Sequence, residues 1–416
     1  MNEAADMRGG EKMDIGSKAD GGKTAQGGTM NNAGAGAGAG GRAADSALPG
    51  PIRLARGAAD EAAVYLIEAG FGTALFVADG TTAEVIGRRL AERYGAAGGR
   101  AGLEIIRPNA AGDVVADEAS VLQAIIAAQR HGADVLVAAG SGTIHDIVRY
   151  AAYTLGVPFV SVPTAPSVDG FTSKGAPLIL RGEKITLPAS APVALFADLD
   201  VLLEAPRPLI AAGFGDMLGK YTSLFDWMYG RETAGEPYDE EVAAVTRGAL
   251  ERCAAHAEAI GRGSEEGVRV LMQSLIESGI AMLRFGQSHP ASGAEHHISH
   301  YWEMHFLRTG RRQVLHGAKV GVACAVIADL YKRRAAEGFP LPEACRLMLA
   351  ELPDGAELRR LLRVAGGPAD PAELGIGPEL LDEALRRAHT VRPNRHTLLR
   401  ALNAALDGDA RADTNR

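Results

Sequence analysis

Cysteine is scarce: the three in this 416-residue chain, Cys253, Cys324 and Cys345, fall in apolar or helix-like surroundings with no CxxC spacing. That excludes a disulfide frame and points to a reducing compartment, with the thiols packed in the core. Positive charge is not in excess either. Lys and Arg number 43 against 51 Asp and Glu, a net charge of -8, which excludes the basic footprint that phosphate-backbone binding needs, so no nucleic-acid partner is expected. No uninterrupted apolar run approaches the roughly 20 residues of a membrane span. The N-terminus shows no apolar core of a secretory signal, so a cytoplasmic protein without membrane insertion is expected. What is present is packing material: 47% hydrophobic and 23% charged residues mark a globular chain. Its length exceeds the roughly 100–200 residues of a typical domain, so more than one core is expected.

Residues 1–48 stand apart, dominated by Gly, Ala, Asn and small polar residues, with the run AGAGAGAGG at 33–41. Such side chains bury too little surface to offset the entropy of ordering them, and a disordered leader without catalytic content is expected. From 49 onward short apolar runs alternate with helix-like periodicity. TALFVADG at 73–80, ADVLVAAGSG at 133–142, PFVSVPTAPS at 158–167 and APVALFADLD at 191–200 read as buried strands. The pattern predicts a Rossmann-like, doubly wound α/β domain with a parallel sheet over 49–205. Beyond it, apolar-periodic stretches at 208–230, 238–261, 265–285, 293–307, 316–335 and 377–406 predict an all-helical domain over 206–416.

GSGTIHD at 140–146 follows a predicted strand and opens a helix. The backbone N–H groups of Gly140, Ser141, Gly142 and Thr143, with the helix's positive end, suit a pyrophosphate. The third glycine of GxGxxG is missing, so a plain strand-to-helix turn competes, in which Thr143 caps the helix and Asp146 completes a capping box. Asp79, at the end of the first clear strand, is placed to accept hydrogen bonds from ribose hydroxyls and to repel a 2'-phosphate, which tilts the cofactor toward NAD over NADP.

Three polar residues have surroundings wrong for surface groups. Asp216 lies in PLIAAGFGDMLGK, His296 in SGAEHHISHYWEMHF, and His316 opens HGAKVGVACAVIADLY. A carboxylate in an apolar stretch is costly unless paired or coordinated. One carboxylate and two imidazoles make a three-ligand site with open positions, suited to catalytic Zn²⁺; Ni²⁺ fits the same donors and Fe²⁺ binds them less tightly. His296 and His300 are four apart and share a helix face, so both as ligands is an alternative set. His297 points elsewhere and takes a supporting or surface role, while His289 and His305 read as ordinary surface or packing residues.

VPTAPSVDGFTSKGAPLI, ADLDVL, APRPLIAAGFGDMLGKYTSLFDW, SGAEHHISHYWEM and LHGAKVG, in this order, resemble the bacterial branch of the sn-glycerol-1-phosphate dehydrogenases, within the iron-containing alcohol dehydrogenase and dehydroquinate synthase-like superfamily. The resemblance spans about residues 55 to 400. It implies Asp216, His296 and His316 as metal ligands, with Asp216 thereby at the substrate too. It implies Asp169 and His300 as substrate contacts, and Thr164, Ala165, Pro166, Ser167 and Ser173 lining the cofactor with the 140–146 loop. The implied reaction interconverts sn-glycerol 1-phosphate and dihydroxyacetone phosphate with NAD, or alternatively NADP, in the direction of ketone reduction, in a homodimer. It would yield the glycerophosphate stereoisomer opposite to that of ordinary bacterial phospholipid metabolism. The substrate phosphate calls for a cation, and Lys174, Lys220, Arg308 and Lys319 lie near the motifs. A glycerol dehydrogenase or a dehydroquinate synthase-like lyase would share the fold.

Overall fold

The computed structural model describes residues 49–414, so the leader assigned to 1–48 lies outside the described residues. Six parallel strands form one sheet in the order β1-β8-β5-β4-β2-β3. They are β1 (Ile52–Ala55), β2 (Thr73–Ala78), β3 (Arg100–Ile105), β4 (Val135–Gly140), β5 (Phe159–Pro163) and β8 (Ala194–Asp198); β6 (Gly175–Leu180) and β7 (Glu183–Pro188) make a separate antiparallel hairpin.

Side chains alternate across a strand, and both faces of this sheet are covered. Phe76, Val137, Val162 and Phe196 enter one buried layer, while Leu75, Val77, Leu136 and Phe159 enter the other. This is why the strands read as continuous apolar runs. The four predicted strands are present with trimmed ends. β1 and β3 were not anticipated: β1 has only four residues, and β3 is an edge strand that is nowhere fully buried. The chain turns outward from β2 to β3 and the opposite way from β4 to β5, so the order reverses between β2 and β4. Ligands of open parallel sheets bind beyond the strand ends at such a reversal.

From Arg207 on, the described residues form helices without strands. The predicted 208–230 helix is two, Arg207–Leu218 and Lys220–Ala234, meeting at Gly219. The 377–406 stretch is likewise interrupted between Arg387 and Leu398, and the helices Glu343–Glu351 and Gly355–Val364 were not foreseen. Arg207–Leu218 packs backbone to backbone against His316–Ala336. A methyl group on Gly317 would collide with the Ala212 carbonyl oxygen, and one on Gly215 with the Gly317 carbonyl oxygen. These glycines sit next to His316 and Asp216 in sequence, and their close approach brings the two side chains together. Among the described residues no helix is long and apolar enough to cross a membrane. All three cysteines are free and buried.

Candidate active site

A cavity of about 450 Å³ opens where the carboxyl end of the sheet meets the helices. On the sheet side, β4 runs through Ser141 into the helix Gly142–Leu155. The first-turn N–H groups of a helix have no carbonyl partner within it and carry the positive end of its dipole. Gly142 lines the cavity; a methyl there would lie 2.8 Å from Val168 Cγ2, so glycine lets the loop close on that residue. The N-cap is Ser141, without a side-chain hydrogen bond, which corrects the capping reading of Thr143 and Asp146. Asp146 instead accepts from Arg149 Nη1 at 2.8 Å, a pairing at i,i+3 on one helix face. Arg149 also donates to the Gly170 and Gly175 carbonyls, tying this helix to the segment that carries Ser173. Asp79 Oδ1 accepts from the Thr81 and Thr82 N–H groups at 2.9 and 2.7 Å; it is a helix cap at the reversal edge, outside the cavity lining.

On the helical side, Asp216, His296 and His316 each offer a ligand atom within 4.8 Å of the other two. His296 Nδ1 faces Glu295 Oε1 at 2.7 Å, which places a proton on that nitrogen and leaves the Nε2 lone pair 3.6 Å from Asp216 Oδ1. A lone pair facing a carboxylate calls for a proton or a cation between them. His316 Nδ1 is buried with no partner, an orphaned donor set of the kind a metal satisfies. Burial works against charge on Asp216, but Lys220 and the two histidines hold its carboxyl well below the usual range. Burial also opposes charge on Glu295; bonds from His296, Thr222 and the Gly293 N–H keep it ionised. Glu295 was not singled out from sequence, although a carboxylate beside a candidate ligand is a signal for a residue that orients the imidazole. Glu295→Gln is expected to weaken metal binding about 10- to 100-fold. Titration of the protein against a competing chelator reads this directly, and an unchanged affinity would count against the positioning role.

Asp169 lines the cavity beside this trio. Its Oδ2 accepts from Ser278 at 2.9 Å and Lys220 Nζ at 2.8 Å, and its own N–H donates to Asp216 Oδ2 at 2.9 Å. Burial and the Asp216 charge raise its pKa, with Lys220 opposing. Lys220 is fully buried and also donates to Asp216 Oδ1 and to the Asp216 carbonyl. Its three hydrogens are committed, which removes it as a phosphate partner. Arg308 donates to the Met304 carbonyl at 3.2 Å and does not line the cavity. His300 does line it, with its ring centroid 5.7 Å from that of His316 and 6.2 Å from that of His296. Burial, then Lys184 and Arg392, push His300 well below its ordinary pKa, so it is neutral at pH 7.

The cavity thus gathers Gly142, Thr143, Asp146, Asp169 and Ser173 with His296, His300 and His316. Gly140 and Ser141 lead into it. Thr164, Ala165, Pro166 and Ser167 are buried and do not line it, because the Arg207–Leu218 helix packs onto their loop: a methyl on Gly213 would strike the Pro166 carbonyl oxygen. His297 is fully buried with both ring nitrogens unpartnered, and His289 is buried as well; neither is a surface residue. Lys184 and Arg392, which the sequence reading passed over, are also in the wall.

Residues 53–206 match the family model described as iron-containing alcohol dehydrogenase. Among solved structures, a probable glycerol dehydrogenase from Sinorhizobium meliloti superposes with a TM-score of 0.66 at 22% identity, covering 88% of this chain and 99% of that one. Sulfoacetaldehyde reductase from Bifidobacterium kashiwanohense, solved in complex with NAD+, does so at 0.62 and 16% identity, covering 88% and 99%. These likenesses establish the fold. The glycerol-1-phosphate dehydrogenase [NAD(P)+] of Geobacillus stearothermophilus is 46% identical over 361 residues, covering 82% of this chain and 89% of the relative. That of Bacillus velezensis is 50% identical over 335 residues, covering 79% and 84%. With so much of both bacterial relatives matched, the chain belongs to the glycerol-1-phosphate dehydrogenases, within the iron-containing alcohol dehydrogenase family.

Proposed function

We propose that this chain is a metal-dependent, NAD(P)-linked dehydrogenase that interconverts sn-glycerol 1-phosphate and dihydroxyacetone phosphate, and that it reduces the ketone in the cell. The observation that carries the reading is the meeting, around one cavity, of a helix start suited to a dinucleotide phosphate with His296, His316, Asp169 and His300, the first two having ligand atoms within 4.8 Å of one on buried Asp216 just behind the wall. The relatives' names supply the substrate. In this reading the sheet half, 49–205, holds the dinucleotide, and the helical half, 206–416, holds metal and substrate. One oxygen and two imidazole donors with open positions favour Zn²⁺ or Ni²⁺. The three buried free thiols support a reducing, cytoplasmic setting; the homodimer rests on the family resemblance alone.

When bound, the divalent ion supplies Lewis-acid polarisation of an oxygen and the nicotinamide supplies hydride chemistry. The chain's own residues do the rest. Lys220 and Ser278 fix Asp169 through Oδ2, leaving Oδ1 to accept from a substrate hydroxyl. His300, a neutral imidazole, has one N–H to orient a second hydroxyl or to pass a proton toward the reduced oxygen, and one lone pair to take up a proton in the reverse, alcohol-oxidising direction. Val168, Leu187, Met282 and Leu315 line the cavity with apolar surface and limit water around these groups.

The test is NADH and NADPH oxidation with dihydroxyacetone phosphate before chelation, after it, and after return of Zn²⁺ or Ni²⁺. Chelation is expected to lower the rate by more than about 100-fold, with one ion restoring it. Full activity after exhaustive metal removal, or faster turnover of glycerol than of glycerol phosphate, would reject the reading.

A further inference from the structure

The cavity wall carries more positive than negative charge, although the chain as a whole is net -8. Asp146 is matched by Arg149 and Asp169 by Lys220. Glu303 faces two lysines, Lys184 at 2.8 Å and Lys319 at 2.9 Å. Arg392 and Lys174 also line the cavity, and neither has a carboxylate within salt-bridge reach among the described residues. An excess of this kind in a sheltered cavity favours an anionic ligand.

The two wall cations without a carboxylate partner occupy different sides. Lys174 is bracketed by Ser173 and by Gly175, whose carbonyl binds Arg149 of the Gly142–Leu155 helix, so it belongs to the dinucleotide side. Arg392 stands with the histidines. Its Nη1 donates to Ser288 Oγ at 3.0 Å and Ser292 Oγ at 2.9 Å, on the segment leading into the His296 helix, and its Nη2 donates to Thr186 Oγ1 at 3.2 Å. It is also close enough to His300 to push that imidazole toward neutrality. Desolvation and neighbouring Arg395 lower Arg392 itself to about 10, which leaves it charged at neutral pH.

We infer that Arg392, Ser288, Ser292 and Thr186 form the subsite for the substrate's phosphate. The inference rests on the dehydrogenase reading above for the identity of the substrate. Each hydroxyl accepts from Arg392 and keeps its own hydrogen free to donate to a phosphoryl oxygen. The guanidinium retains Nε–H and a second Nη2 hydrogen for the same anion, a forked geometry that matches phosphate better than an ammonium does. Three hydroxyls holding the fork in place reduce what binding must order.

The test compares wild type with Arg392→Met, Arg392→Lys and Lys174→Met as metal-loaded, full-length proteins. The ratio of kcat/KM for dihydroxyacetone phosphate to that for dihydroxyacetone is expected to fall about 100-fold in Arg392→Met, as for loss of a charge-assisted pair. Arg392→Lys should recover part of it and Lys174→Met should leave the ratio near wild type. Binding of inorganic phosphate, followed by calorimetry without turnover, should be lost in Arg392→Met. Phosphate binding lost in that variant, in a protein that turns over neither ketone, would support the subsite while sinking the dehydrogenase reading. An unchanged ratio in Arg392→Met, equal loss for both ketones with phosphate binding retained, or a larger drop in Lys174→Met than in Arg392→Met would overturn the subsite.

Discussion

Replacing His316 with alanine should strip the metal from the protein and lower turnover by about 1000-fold or more, because two remaining donors cannot hold an ion that needs three protein ligands. The fold should survive. His316 is the first residue of its helix, it is half-buried, and its Nδ1 bonds to nothing in the protein, so its loss leaves no partner unsatisfied. Alanine is also the better helix former. Metal content by mass spectrometry, far-UV circular dichroism and NADH oxidation on the same preparation check the three parts. A variant that kept a full complement of tightly held metal would remove His316 from the ligand set.

Lys220→Met should act on stability instead, costing about 3–5 kcal/mol. The ammonium is fully buried between Asp169 and Asp216 and donates to both. Methionine fills similar space but leaves two carboxylates facing each other out of water. Adding Asp169→Asn should recover part of the loss, since the second change removes one of the two stranded charges. Denaturant unfolding of both variants measures it. A loss below about 1 kcal/mol for the single change, in the range of exposed ion pairs, would show that Lys220 is not holding these charges together.

Much of the architecture was legible because buried parallel strands announce themselves as apolar runs. Val135–Gly140 has no exposed residue, and its end at the loop was placed within two residues. The edge strand Arg100–Ile105, with a glycine, an arginine and a glutamate among six residues, carries no such signal. In the site, Asp216, His296 and His316 stood out as polar groups in apolar surroundings, and they do converge. Lys220 stood among four candidate cations for the phosphate, and its position four residues after Asp216, across the junction at Gly219, is what pairs it with that carboxylate instead. Arg392 could not be picked out, because it reaches the cavity from an irregular segment far along the chain from His296 and His316, and only tertiary packing sets its neighbours. The burial of TAPS was not legible either, because it is set by the Gly213 helix packing onto that loop, a contact far along the chain.

Where two main chains touch through glycine, no side chain stands between them to yield. Asp216 and His316 each adjoin one of the touching glycines, Gly215 and Gly317, so their separation is cast by the frame itself. His296 comes from a third helix and is positioned by side chains instead, with Glu295 on its Nδ1 and Asp216 facing its Nε2. Exchange of one divalent ion for another of different radius would then have to be absorbed by side-chain rotation and by solvent or substrate oxygens, since the main-chain contact of Gly215 with Gly317 has no room to close further. Ion identity would register in electronic character far more than in the outline of the site.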